Sequence, residues 1–255
     1  MADTKEKLQD KVAIVTGGAS GIGEATASLF ADHGARIVIA DIQDEKGRNL
    51  VKSIGPHRCA FIHCDVTDEQ QVKSLIETTI QTYGRLDIMF CNAGVLSQFN
   101  QGVLDFDVAA CTKLFAINVQ GTAACMKHAA RAMVDGNIGG SIICTASIVA
   151  TIGTDKSTDY TMSKHAVLGL VRSASMQLGE YGIRVNCVSP GPVATPMLCN
   201  LLGKGIEETE KNMEPRFCLR GSLKVKHVAD AVLFLACEDS EFFTGQNLVV
   251  DGGFN

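Results

Sequence analysis

Short, nearly unbroken apolar runs alternate with stretches of helical spacing from one end of the chain to the other. The runs are KVAIVTG (11–17), ARIVIAD (35–41), CAFIHCD (59–65), LDIMFCNAG (86–94), GSIICTAS (140–147), IRVNCVSPG (183–191) and GQNLVVDGG (245–253). Each is rich in β-branched or small apolar residues and closes near Gly, Asp or Ser, so each reads as a strand. Between them, 24–34, 44–55, 68–84, 107–135, 158–182 and 225–237 read as helices, the first closed by Gly34. Strands without a polar face belong to a parallel sheet covered on both sides, and strict alternation with helices makes it doubly wound. We expect an α/β fold, one domain over 1–255, with no linker and only five prolines to interrupt it.

One stretch breaks the rhythm. Residues 192–224, PVATPMLCNLLGKGIEETEKNMEPRFCLRGSLK, are too long for a simple connector. Met197, Leu198, Leu201, Leu202, Met213 and Phe217 would make a poor solvated loop but a reasonable cover for an apolar ligand. Of these, Met197, Leu198, Leu201, Met213 and Phe217 are the candidate pocket residues.

Composition narrows the partners. With 46% hydrophobic and 20% charged residues the chain is of ordinary globular type, and a net charge of −5 supplies no basic footprint for nucleic acid. No apolar run approaches the ~18 residues of a membrane span. The polar opening MADTKEKLQDK lacks the apolar core of a secretory signal. Ten scattered cysteines without CxxC or Cys/His spacing read as free thiols, with no metal site, in a reducing, cytoplasmic setting.

The chemistry begins at TGGASGIG, between the first strand and the first helix. Gly17, Gly21 and Gly23, with Ser20 and Ile22 between them, follow a G-x-x-x-G-x-G spacing. Glycines there permit a tight turn and let backbone N–H groups approach a pyrophosphate at the positive end of a helix. By itself the turn also fits a plain strand-to-helix connector. The acid at the end of the second strand, Asp41, lies eighteen positions beyond Gly23 and could accept hydrogen bonds from ribose hydroxyls. Ile42 follows it and no cation is close by in sequence, so NAD is expected in preference to NADP. Asp65 and Val66 end the third strand, and Asn92, Ala93 and Gly94 end the fourth. All fall at carboxyl ends of strands, where ligands bind in open α/β sheets.

A second constellation lies in YTMSK. Tyr160 and Lys164 are four positions apart on one helix, and Ser147 ends the preceding strand. An ammonium one turn from a phenol favours the phenolate, whose ordinary pKa is about 10, and so moves it towards use as a general base.

In this order and spacing, TGGASGIG, NAG, Ser147, YTMSK, PG at 190–191 and the final DGG resemble the short-chain dehydrogenase/reductase family over essentially the whole chain. The resemblance implies a Rossmann-type fold with Tyr160 as general acid/base and Ser147 holding the substrate oxygen. Lys164 would bind the nicotinamide ribose, and Asn118 would anchor a relay water. Pro190, Gly191, Val193 and Thr195 would hold the nicotinamide side. Read alone, Asn118 fits equally as a helix-interior asparagine satisfying backbone groups. HCDVTDEQQV, AACMKHAARAMVDG, SKHAVLGLVRSAS and GIRVNCVSP are similar to the plant secoisolariciresinol dehydrogenase-like group. That likeness implies NAD-dependent oxidation of a small hydrophobic secondary alcohol, of monoterpenoid or related type, by a homotetramer. It also admits a non-redox terpenoid cyclase or isomerase that retains NAD.

Overall fold

Strand β1 (Val12–Thr16) is buried along its whole length inside a seven-stranded sheet. It pairs in parallel with β2 (Arg36–Asp41) on one side and β4 (Ile88–Cys91) on the other, with Ala13 opposite both Ile37 and Ile88. β3 (Cys59–His63) lies outside β2, while β5 (Ser141–Thr145), β6 (Arg184–Pro190) and β7 (Asn247–Val250) continue beyond β4. The order is β3-β2-β1-β4-β5-β6-β7, all parallel. The chain therefore reverses its direction of winding between β1 and β4, the place where such sheets open a crevice. The computed structural model describes residues 6–97 and 100–254; the first five residues of the polar N-terminal stretch lie outside these.

Parallel neighbours need crossovers, and helices supply them. α1 (Gly21–Asp32), α2 (Asp44–Ile54) and α9 (Val225–Ala236) lie on one face; α3 (Glu69–Tyr83), α4 (Val108–Phe115), α5 (Thr122–Asp135) and α6 (Thr158–Leu178) lie on the other. Successive β1 residues feed opposite cores. Ile14 packs with Leu75, Met133 and Val171, whereas Ala13 and Val15 pack with Phe30 and Val232. Burial on both sides explains why the strands carry no polar alternation, each large side chain contributing about 1.5–3 kcal/mol. Helix ends follow local chemistry. The Asp68 carboxylate accepts the N–H groups of Gln70 (2.9 Å) and Gln71 (3.2 Å) ahead of α3, and Gly84 closes that helix at φ +79°.

Two regions differ from the sequence expectation. The helix over 107–135 is divided: a π-helical turn, Ala116–Gly121, separates α4 from α5. Asn118 sits within it, and its side chain supplies bonds to the neighbouring Val95 backbone that accompany the widened turn. The stretch 192–224 is not irregular throughout. It holds α7 (Pro196–Leu202), with Pro196 in the first position and Thr195 as cap, and α8 (Ile206–Met213). Helices this short carry too few turns to show a period in sequence. No described helix is long and apolar enough to cross a membrane, and no cluster of His, Cys, Asp or Glu that could hold a metal exists among the described residues. No disulfide joins the ten cysteines, eight of which are buried.

Candidate active site

A cavity of about 1060 Å³ opens beyond the carboxyl ends of the strands, lined by residues that follow β1 to β6. Gly17, Ser20, Gly21 and Ile22 line it after β1. Gly17 and Gly21 are left-handed, at φ +61° and +57°, and a Cβ on Gly21 would reach 3.2 Å from Thr195. Ser20 makes no side-chain cap, so the first-turn N–H groups of α1 are left for a ligand at the positive helix end. Gly23 does not line the cavity. A Cβ there would stand 2.2 Å from the Gly17 carbonyl oxygen, so this glycine lets α1 pack under the turn.

Asp41 is 5% exposed at the end of β2 and aims its carboxylate at the same turn. Its Oδ2 accepts the Ala19 N–H (3.0 Å), and its Oδ1 accepts the Gln43 backbone N–H (3.0 Å) and Nε2 (3.2 Å). Ile42 lines the cavity and is largely exposed. Sequence reasoning missed a cation here. Lys46, one turn into α2, also lines the cavity, and its Nζ donates to Gln43 Oε1 at 2.8 Å. Asp65 and Val66 line it after β3; Asp65 Oδ1 is held by the Thr67 N–H (2.9 Å) and hydroxyl (2.8 Å).

Asn92, Ala93 and Gly94 line it after β4, but the Asn92 side chain serves the framework. Nδ2 donates to the carbonyls of Thr16 (3.1 Å) and Gly17 (3.2 Å), while Oδ1 accepts the Thr145 hydroxyl (3.0 Å). A Cβ on Gly94 would meet Asn118 Oδ1 at 3.2 Å and Lys164 Nζ at 3.7 Å. Pro190, Gly191, Val193 and Thr195 complete the rim after β6. A turn of left-handed glycines at an uncapped helix end, faced by a fixed carboxylate, is a donor and acceptor set that fits a dinucleotide.

Ser147, Tyr160 and Lys164 converge in this cavity. Ser147 is 8% exposed, and its hydroxyl oxygen accepts the Val149 N–H at 3.4 Å. Tyr160 is half-buried by surface yet deep enough among protein atoms that lost hydration pushes the phenol up to about 12; the Ser147 hydroxyl acts the other way. The ammonium of Lys164 lies 5.5 Å from the Tyr160 ring centre and donates to the Thr145 carbonyl at 2.8 Å. Burial lowers it to about 8, with the nearby thiols of Cys144 and Cys187 opposing. The phenol is therefore shifted up and not down as expected, because loss of hydration on burial dominates.

Asn118 is 1% exposed and stands behind the cavity wall. Its Oδ1 accepts the Val95 N–H (2.8 Å), and its Nδ2 donates to the Val95 carbonyl (2.9 Å) and the Ser163 hydroxyl (3.1 Å). Both amide hydrogens are spent, which leaves the side chain a tie between Val95 and α6.

The apolar cover is partly as expected. Met197, Leu198 and Met213 line the cavity. Leu201 does not; it lies one turn further along α7 and is 48% exposed, as Leu202 is 38%. Phe217 packs behind, against Phe254, with ring centres 5.3 Å apart. Phe254 takes the lining position, a residue beyond the last strand that no strand-end rule marks. Ile148 and Val149, directly after Ser147, also line it and were within reach of that rule.

The chain has extensive likenesses. Residues 17–255 match the family model described as enoyl-(acyl carrier protein) reductase. A (−)-isopiperitenol/(−)-carveol dehydrogenase of Mentha piperita, whose name places it in mitochondria, is 53% identical over 99% of this chain and 96% of its own. A (+)-cis,cis-nepetalactol synthase of Nepeta racemosa is 55% identical over 98% of this chain and 93% of its own. The crystal structure of a short-chain type dehydrogenase/reductase from Mycobacterium marinum superposes with a TM-score of 0.90 at 31% identity, covering 98% of both chains. The chain thus belongs to the short-chain dehydrogenase/reductase family.

Proposed function

We propose that the protein is an NAD-dependent alcohol dehydrogenase that oxidises a small hydrophobic secondary alcohol of monoterpenoid type to the ketone. The observation that carries this reading is the meeting of Ser147, Tyr160 and Lys164 in one cavity under an apolar cover of Met197, Leu198 and Met213. NAD, when bound, supplies the hydride acceptor and a positive charge. Ser147 holds the substrate oxygen, and the Tyr160 oxygen takes the hydroxyl proton. The positive charge of Lys164, 5.5 Å from the ring, opposes the desolvation that keeps the phenol protonated. Asn118 acts through the backbone of Val95 and through Ser163, whose hydroxyl also donates to the Tyr160 carbonyl at 2.8 Å. It thereby positions the tyrosine-bearing helix.

The fixed carboxylate of Asp41 supports NAD over NADP, since it accepts from ribose hydroxyls and repels a 2′-phosphate. Lys46 is engaged by Gln43, so the repulsion is not cancelled by a direct ion pair. Incubation with NAD and a panel of monoterpene alcohols that includes carveol tests the reading through the absorbance of NADH. The Nepeta relative favours a second reading, a non-redox cyclase that keeps the same fold and bound NAD. Product without NADH, dependent on NAD being bound, would select it.

The reading includes a homotetramer, supported by exposed apolar residues on the crossover helices, Val108 on α4 and Met162 on α6. Light scattering measures it. A reducing, cytoplasmic setting is supported by ten cysteines that form no disulfide. Imaging of a fluorescent fusion against a mitochondrial marker decides between that compartment and the one in the Mentha relative's name.

A further inference from the structure

The residues after β7 fold back onto the covering segment. Asp251 Oδ1 accepts the Gly253 N–H at 3.0 Å, and Gly252 and Gly253 adopt left-handed backbone, at φ +60° and +69°. Only glycine takes two such positions in succession at little cost. Space demands it too. A Cβ on Gly253 would stand 2.9 Å from Cys218 Cβ, and one on Gly252 would stand 3.3 Å from the Phe217 ring. The N–H groups of Cys218 and Leu219 donate to the carbonyls of Gly253 (3.3 Å) and Gly252 (3.1 Å). This double glycine turn delivers the Phe254 ring to the cavity. There it packs 5.3 Å from the Phe217 ring and 4.2 Å beneath the Arg216 guanidinium.

We propose that Phe254 is the specificity-determining wall of the alcohol pocket and the post to which the covering segment 192–224 is fastened. One ring does both: its face meets Arg216 and its neighbour Phe217 in the cover, and it borders the space a substrate would fill. The size of alcohol accepted is then set from the far end of the fold, by the turn at 251–254. The inference rests on the dehydrogenase reading only for the identity of the occupant.

The test compares the whole protein with Phe254→Ala and Phe254→Leu, with three readouts. Calorimetry measures binding of NAD, then of carveol to the NAD-loaded protein. Turnover compares carveol with the larger secondary alcohol androsterone. Limited trypsin digestion follows cleavage after Lys204 and Lys211 in the cover. For Phe254→Ala the expected result is carveol binding about tenfold weaker, preference shifted towards androsterone, and cleavage about fivefold faster, with NAD affinity held within about twofold. Phe254→Leu should restore part of the binding, because it refills the apolar volume without the face that Arg216 uses. Unchanged carveol affinity, size preference and cleavage in a variant that still binds NAD overturn the proposal. Should Phe254→Ala fail to bind NAD, the same comparison on Phe254→Leu decides, with about threefold changes expected and none overturning it. Weakened carveol binding in proteins that never reduce NAD would leave the wall standing and remove the dehydrogenase reading. If the unaltered protein binds neither alcohol, cleavage alone decides: faster supports the post, unchanged overturns it.

Discussion

Lys164 sits beneath the ring of Tyr160, its Nζ 5.5 Å from the ring centre, and spends one of its three N–H groups on the Thr145 carbonyl. Burial moves the two groups in opposite directions, the phenol up to about 12 and the ammonium down to about 8. Both shifts favour the uncharged forms. A further positive charge beside the phenol would favour its ionised form and so its use as a base.

Tyr160→Phe keeps the ring and removes the hydroxyl proposed to take the proton. Turnover with any alcohol substrate should fall by about 10²–10⁴, while NAD affinity by calorimetry stays unchanged. Residual activity near that of the unaltered protein would move the base elsewhere.

The pH dependence of stability follows from the same pair. The folded value for Lys164 lies below its ordinary 10.5, so its charging opposes folding in full below about 8 and fades as pH rises from there to 10.5. The raised Tyr160 works the opposite way, adding stability below its ordinary 10 that is lost as pH climbs towards about 12. Buried thiols such as Cys59 and Cys64, also near 12, act in this second sense from about 9 upward. Subtracting urea unfolding curves of Lys164→Met from those of the unaltered protein removes the thiols. The gap between the two should be widest at pH 7, with the Met variant the more stable, and should narrow steadily above pH 8.

Asn118→Ala would strip both backbone partners from Val95 and one from Ser163. A loss of about 1–3 kcal/mol in urea unfolding is expected, because buried polar groups are left without partners. No loss would mean that water replaces the amide.

Asp41→Ala should abolish the preference for NAD and raise the ratio of kcat/KM with NADP to that with NAD by about tenfold or more, with Lys46 newly able to meet a 2′-phosphate. Equal use of NAD and NADP by the unaltered protein would remove the cofactor assignment before any substitution is made.

The strands and the ligand edge were legible because burial on two faces writes itself into residues such as Val12–Thr16 and Ile142–Cys144 as unbroken apolar runs. The glycine turn and Asp41 were legible because backbone approach restricts residue type. Leu201 was misplaced because it turns outward near the end of α7, 48% exposed, although Asn200 before it still lines the cavity. Lys46 was passed over because one helical turn separates it from the strand end that it serves. Phe254 meets Phe217 through a fold-back across the whole topology, and local spacing holds no trace of such a contact. The phenol's upward shift depends on depth of burial, a quantity that no motif contains.

The widened turn at Ala116–Gly121 takes up one residue more than a regular helix would over the same span, so α4 and α5 keep their faces while Asn118 leaves helical spacing to meet Val95. Removing a single amino acid there would close the bulge and leave Lys113 beside the cavity. Such a deletion should therefore be felt first at Val95 and Ser163, which would lose the amide that ties them together.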